Sequence, residues 1–346
     1  MRPTKGSCKR LVPLALALAL VLAGCGKNAQ AVKHEKQLFA MDTVMFLTAY
    51  GDGGDEALSA ATDVINGLAA DLDPEKDGSS VHALNAGAGG AVAVSEDCLA
   101  VLDTALAVGR ETGGALDSAL YPVIRAWGFT TGEYRVPEQA ELDGLLAAKD
   151  TGHITLDAPA GTVTLPAGMA VSLGAVAKGY AAQKAAEAMA SAGAEHAILS
   201  LGGNVQTLGD TRPDGSPWQV AVTDPQDTGS YVGTLSVGQT AVVTSGGYQR
   251  YFDQDGRRYI HILDPATGRP VDNGLLSVTV VTADGARADA LSTALFVLGE
   301  QGALDYCAAH GDVELVLITQ DGRVVVTEGL AAGFTESGEG YTYEYP

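Results

Sequence analysis

The chain has 346 residues, 44 of them glycine, with 21 Lys and Arg against 42 Asp and Glu, a net charge of −21. That balance supplies no basic surface for gripping nucleic-acid phosphates, and glycine above the ~7% average without a Gly-X-Y period excludes collagen. An apolar fraction of 46% with 18% charged residues belongs to a folded chain rather than a disordered one.

Residues 1–24 read as an export signal. Arg2, Lys5, Lys9 and Arg10 precede the apolar run Leu11–Ala23, which is too short to span a bilayer as a helix. The run ends in Leu22-Ala23-Gly24-Cys25. Small residues ahead of a Cys resemble a bacterial lipobox, in which Cys25 becomes the lipidated (palmitate-bearing) mature N-terminus; an ordinary signal peptide with a chance Cys is the alternative. Residues 25–37 then form the lipidated Cys and a polar tether, and 38–346 a single domain anchored by lipid to the outer face of the cytoplasmic membrane. Loss of the signal removes four basic and no acidic residues, leaving −25. Cys98 and Cys307 remain, enough for at most one disulfide, and the sequence leaves their pairing open.

Alternation predicts a strand over Leu38–Tyr50, and Leu58, Ala61, Ile65, Leu68 and Leu72 mark one face of a helix. Ser95 with Glu96 and Asp97 starts another helix, with Leu99, Leu102 and Leu106 as its stripe. Pro137 opens a third, through about Ala148. His153–Asp157 and Gly161–Leu165 form a hairpin, and Lys178–Ala192 is an alanine-rich helix. Strands follow at Ala197–Leu201, Trp218–Thr223, Tyr231–Val237, Ala241–Ser245, Tyr248–Phe252, Arg258–Leu263 and Leu276–Thr282. Asp255-Gly256 and Asp321-Gly322 are hairpin turns, and a late helix covers about Asp284–Gly299. Helices and strands in separate runs predict an α+β fold, mostly antiparallel.

Four stretches carry candidate chemistry. Asp117, after Gly113-Gly114, could hydrogen-bond a ligand, although a helix C-cap accounts for the glycines. Leu173 through Tyr180 puts small residues and Lys178 at a helix start, which suits a phosphate without P-loop spacing; a solvated lysine is the plainer reading. His261, beside Asp264 and Pro265 on a strand edge, is either a proton acceptor or a histidine bonded to its turn. Asp289 and Thr293 lie at i and i+4 on one helix face, hard oxygens that suit Mg²⁺. His34, His82, His153, His196 and His310 are isolated, with neither zinc-site nor serine-hydrolase context.

Taken in order, these pieces resemble the ApbE family, the FAD:protein FMN transferases. The matching stretches are Phe39 through Met45, Ser79 through Asn85, Gly114 through Asp117 with Pro122 and Trp127, Leu173 through Tyr180, and Leu201-Gly202-Gly203-Asn204. They continue with Thr244-Ser245-Gly246, His261 through Pro265 with Thr267-Gly268, and Asp289 through Thr293. The resemblance implies a T-fold-related catalytic unit that transfers the FMN half of FAD to a Ser or Thr hydroxyl of an acceptor protein, with Mg²⁺, releasing AMP. It also implies that Met41 and Ala115-Leu116-Asp117 line the flavin or adenine, that Lys178 and Ile262 contact FAD, and that Asp264 is a further ligand contact. Asp289, Thr293 and the Ala175 carbonyl would hold Mg²⁺, and His261 would orient or deprotonate the acceptor hydroxyl.

Two positions depart from the family pattern. Ser172 stands where many members have Asp, which alters one polar contact to FAD. The Glu75 region stands where an aromatic is common, which removes one stacking partner. Membrane redox subunits or extracellular flavoproteins are the implied acceptors. Two other functions share these residues: a Mg²⁺-dependent FAD pyrophosphatase giving FMN and AMP, and a non-catalytic flavin-binding lipoprotein.

Overall fold

In the computed structural model, which describes residues 31–149 and 151–346, the first element is a hairpin. Its strands β1 (Lys33–Ala40) and β2 (Thr43–Tyr50) pair antiparallel from Lys33↔Tyr50 to Ala40↔Thr43. The one strand expected over Leu38–Tyr50 is therefore two, and the last residues of the expected tether, Lys33–Gln37, are paired in β1. The turn escapes a sequence reading because alternation runs through it without glycine. Met41 (φ 48°) and Asp42 (φ 59°) both take left-handed backbone, a conformation that two-residue hairpin turns usually reserve for Asn-Gly. The expected signal, Cys25 and the start of the tether lie outside the described residues.

Helix α1 (Gly54–Asp71) buries Leu58, Ala61, Ile65 and Leu68 as their spacing predicts. Helix α2 (Ser80–Ala86), unanticipated, is capped by Ser79, whose hydroxyl accepts from the His82 amide at 2.9 Å. After β3 (Ala91–Ala93), the Ser95 hydroxyl caps α3 (Glu96–Glu111) by accepting from the Cys98 amide. Next come α4 (Tyr121–Ala126) and α5 (Gln139–Leu146), the latter two residues inside the stretch expected from Pro137. The hairpin β4 (Thr155–Asp157) and β5 (Thr162–Thr164) joins β3 in a small sheet ordered β3-β5-β4.

The second half holds α6 (Ala177–Ser191), β6 (His196–Leu201), β7 (Asn204–Leu208), β8 (Trp218–Thr223), β9 (Tyr231–Val237) and β10 (Ala241–Gly246). Strand β11 (Tyr251–Gln254) pairs β12 (Arg257–Ile260) across Asp255-Gly256. It starts later than the Tyr248–Phe252 expectation because the chain first turns at Gly246, whose carbonyl accepts from the Gln249 amide. Strand β13 (Leu275–Thr282) leads into α7 (Gly285–Ala309), which continues past the expected end at Gly299 through a kink there (φ 77°, ψ −179°). The chain closes with β14 (Glu314–Thr319), β15 (Arg323–Val326), α8 (Glu328–Ala331), β16 (Phe334–Glu336) and β17 (Thr342–Glu344).

Nine strands form the main sheet in the order β1-β2-β6-β7-β10-β13-β14-β15-β17, antiparallel except for the parallel pair β15–β17. Helices α1, α3, α6 and α7 bury one face with Met45, Leu199, Val243, Val280 and Phe296. A second sheet, β16-β9-β8, covers part of the other face with Trp218, Val220 and Leu235 against Val242, Val281 and Val316. At the turn end of β1 and β2 that face stays bare, with Phe39, Val44 and Phe46 at 70%, 42% and 55% exposure. Val32–Pro346 forms one unit, α+β and mostly antiparallel as expected. Cys98 and Cys307 do not pair: burial pushes the Cys98 thiol up to about 12, and the Cys307 thiol donates to the Val313 carbonyl at 2.9 Å.

Candidate active site

Three chain reversals meet at one end of the main sheet: the Met41–Asp42 turn, the Gly202–Gly203 turn and the exit from β10 at Gly246. The registers Met45↔Leu201, Leu201↔Asn204 and Val243↔Asn204 bring them level. Gly202 lies so close to β2 that a Cβ there would sit 2.5 Å from Thr43 Oγ1, a contact that only glycine permits. Arg250 connects this end to the next loop. Its Nη2 pairs with Asp42 Oδ2 at 3.0 Å and its Nη1 donates to the Phe129 carbonyl at 3.4 Å. Its own carbonyl accepts from both the backbone amide and Nδ1 of His261, each at 3.1 Å.

That carbonyl settles the histidine tautomer. A carbonyl can only accept, so Nδ1 carries the proton and Nε2 keeps its lone pair. Burial, then the charges of Arg250 and Lys178, lower the His261 pKa from 6.5 to about 4. The neutral imidazole is thus the resting form at pH 7, and Lys178 stands near enough to oppose its protonation. Because the folded value lies below the unfolded one, the unfolded chain takes up this proton first as pH falls. The stability linked to His261 is therefore complete above about pH 6.5 and is lost between there and pH 4, by about 3 kcal/mol. Chemical denaturation of wild type and His261→Gln across that range is expected to show a steeper loss of stability in wild type, by about 3 kcal/mol in all; equal slopes would remove His261 as the source of that difference.

Lys178 reaches this place because α6 begins where it crosses α7. A Cβ on Gly179 would lie 2.0 Å from the Gly285 carbonyl oxygen and 2.6 Å from Asp289 Cβ, so the helices touch through bare backbone. The Gly179 amide donates to Asp289 Oδ2 at 2.8 Å. In a regular helix it would bond the Ala175 carbonyl, and that oxygen accepts no hydrogen bond among the described residues. Asp289 is 3% exposed and has no cationic partner among the described residues. The Ser245 hydroxyl lies 2.8 Å from that of Ser292 and 3.3 Å from Thr293 Oγ1, and Ser292 donates to the Asp289 carbonyl at 2.8 Å.

The donor set of Asp289, Thr293 and the Ala175 carbonyl is entirely hard oxygen, and a buried carboxylate without a counter-charge is costly alone. A small divalent cation fits both facts. No cluster of three or more His, Cys, Asp or Glu that could hold a metal occurs among the described residues, so any such site rests on one carboxylate, one hydroxyl and one carbonyl.

The remaining sequence-selected residues are less alike. Met41 sits in the turn beside Asp42. Ile262 is buried in the main core, as are Ala115 and Leu116. Asp117 Oδ1 accepts from the Ala119 amide at 2.9 Å, and its Oδ2 pairs with Lys149 at 3.0 Å. It borders a concavity that also takes in Gly113, Gly114 and Ser118. Ser172 lies alongside, its amide on the Ser118 carbonyl at 2.9 Å. Asp264 serves its own turn, accepting from the Ala266 amide at 2.8 Å and the Thr267 hydroxyl at 3.1 Å. Glu75 accepts from the Tyr121 hydroxyl at 2.8 Å. Sequence reasoning assigned no role to Arg250 or Asp42, since an isolated arginine carries no local signal.

The model of the ApbE family matches residues 41–317. The FAD:protein FMN transferase of Treponema pallidum is 31% identical over 335 residues, covering 90% of this chain and 92% of the relative. That of Vibrio cholerae is 32% identical over 315 residues, covering 89% and 93%. The ApbE protein of Thermotoga maritima superposes with a TM-score of 0.82 at 29% identity, over 88% of this chain and 100% of its own. The flavin transferase ApbE from Vibrio cholerae superposes at 0.75 with 28% identity, over 89% and 97%.

Proposed function

Because the chain belongs to the ApbE family, we propose that it transfers the FMN half of FAD to a Ser or Thr hydroxyl of an acceptor protein and releases AMP. One observation carries this reading: a neutral histidine with a free Nε2, a lysine and three hard oxygens converge from three separate stretches of sequence. The acceptor hydroxyl gives its proton to His261 Nε2 as its oxygen bonds to the phosphorus of the FMN half. The bond from that phosphorus to the AMP oxygen breaks, and AMP leaves with the bond's electrons. Lys178 binds the pyrophosphate. Arg250 holds His261 through its carbonyl, and the Asp42 ion pair holds Arg250. Asp289, Thr293 and the Ala175 carbonyl would hold Mg²⁺, which when bound supplies charge neutralisation on the phosphates.

A low resting pKa suits a base that works beside phosphate. The anionic substrate offsets Arg250 and Lys178, and so raises the affinity of Nε2 for the proton as the reaction needs it. Export, with lipid on Cys25, is the setting this reading expects, and acceptor flavoproteins of the membrane or cell surface are its partners.

Incubation with FAD, Mg²⁺ and a candidate acceptor should yield AMP and an acceptor heavier by one FMN. His261→Ala should lower the rate by ~10²–10⁴-fold. AMP without flavin on any acceptor offered would favour the pyrophosphatase, and no turnover at all the binding protein. Mass spectra of the exported chain read the anchor as well: lipid mass on Cys25 is expected, and an unmodified Cys25 would remove it.

A further inference from the structure

Two amide side chains between the helices and the sheet are each left with an orphaned buried atom, Asn204 Nδ2 and Gln206 Oε1. Asn204 opens β7 directly after the Gly202–Gly203 turn and is 2% exposed. Its register partners, Leu201 on β6 and Val243 on β10, both belong to the core beneath the helices. Its side chain therefore lies on the face that α6 and α7 cover.

Two fixed points bracket it. Gln206, two residues along the same face, meets the start of α7: a Cβ on Gly285 would lie 3.1 Å from Gln206 Oε1. At the other side, Ser245 at the end of β10 meets Thr293, at 3.3 Å. Along α7, Asp289 is one turn beyond Gly285 and one turn before Thr293. Along the sheet, Asn204 occupies the matching interval, on the strand that packs against α6 beside the crossing.

Asn204 Nδ2 is buried and without a hydrogen-bond partner among the described residues. An orphaned buried amide costs ~1–3 kcal/mol, and in a native protein it points to a group that joins it. Gln206 Oε1, two residues along, is likewise buried and without a partner among the described residues. Its Nε2 is held by the Thr207 and Thr240 carbonyls, each at 3.2 Å, which turns its Oε1 toward Gly285. Asp289, by contrast, has only Oδ2 engaged, by Gly179, and its other oxygen is open.

We propose that Asn204 is a positioning residue for the cation site, its amide orienting the Asp289 carboxylate through one ordered water. The inference rests on the metal reading above and adds a residue to it. Groups that orient a metal ligand typically govern ~10–100-fold of metal affinity.

The test is a Mg²⁺ titration by calorimetry on wild type, Asn204→Ala, Asn204→Leu and Asp289→Ala, with melting curves in EDTA. Both Asn204 variants are expected to bind Mg²⁺ ~10–100-fold more weakly while melting in EDTA no lower than wild type by more than a few degrees, because they remove an unpartnered group. Mg²⁺ affinity within twofold of wild type in these variants, alongside lost binding in Asp289→Ala, overturns the Asn204 role and leaves the metal site standing. Unchanged binding in Asp289→Ala overturns both. Wild type gives a readout independent of any variant's folding: the side-chain NH₂ resonances of Asn204 should shift on Mg²⁺ addition, and their failure to move would overturn the proposal.

Discussion

Asp289→Asn is expected to reduce Mg²⁺-dependent AMP release from FAD by about 10³-fold or more, the effect of losing several kcal/mol of phosphate neutralisation. The amide oxygen of Asn can still accept the Gly179 amide, now at 2.8 Å from Asp289 Oδ2, so the fold should survive. It should even gain slightly, since a buried carboxylate with no cation beside it opposes folding. Asp289→Ala would separate the two roles, as it also orphans the Gly179 amide at a cost of ~1–3 kcal/mol. Steady-state AMP release and melting temperature on both variants decide the matter. Turnover of Asp289→Asn within tenfold of wild type would remove this carboxylate from the chemistry.

Gly179→Ala is expected to be the most damaging methyl group that can be added near the site. Its Cβ would meet the Gly285 carbonyl at 2.0 Å and Asp289 Cβ at 2.6 Å. Both contacts are with backbone or its first carbon, so no rotamer change relieves them and α6 must lift from α7. We expect a loss of about 3 kcal/mol or more, read as a fall of roughly 6 °C or more in melting temperature. Gly67→Ala is the matched control. Gly67 lies within α1, and a Cβ there meets nothing within 4 Å, so ordinary helix propensity should stabilise it by ~0.5–1 kcal/mol. Equal melting of the two variants would show that the helix crossing tolerates a methyl group.

What the sequence made legible were features written within one element. The spacing from Leu58 to Leu68, the Ser95 cap and the Asp-Gly turns each depend on neighbours a few residues away. Lys178, His261, Asp289 and Thr293 were legible through the order of short motifs, each weak alone. Contacts between distant segments were not. Arg250 joins Asp42 across 208 positions, and nothing near either residue in sequence announces the other. Alternation concealed the Met41–Asp42 turn because its left-handed residues are not glycine. Asp264 and Asp117 carry contacts of the same hidden kind: turn amides and, for Asp117, Lys149 take up part of each carboxylate's capacity.

The last strand has a role of a different kind. In β15, Val324, Val325 and Val326 are 0%, 1% and 0% exposed, and β17 supplies their outer neighbour through Arg323↔Thr342, Val324↔Tyr343 and Val325↔Glu344. Arg323 pairs with Glu344 at 3.3 Å, and the Tyr343 hydroxyl donates to the Val232 carbonyl at 2.7 Å, fixing those three residues in place. A row of β-branched residues on an open strand edge is a template for adding foreign strands. Strand β17 therefore guards colloidal solubility: at the edge of the sheet opposite β1, three residues stand between a valine ladder and self-association.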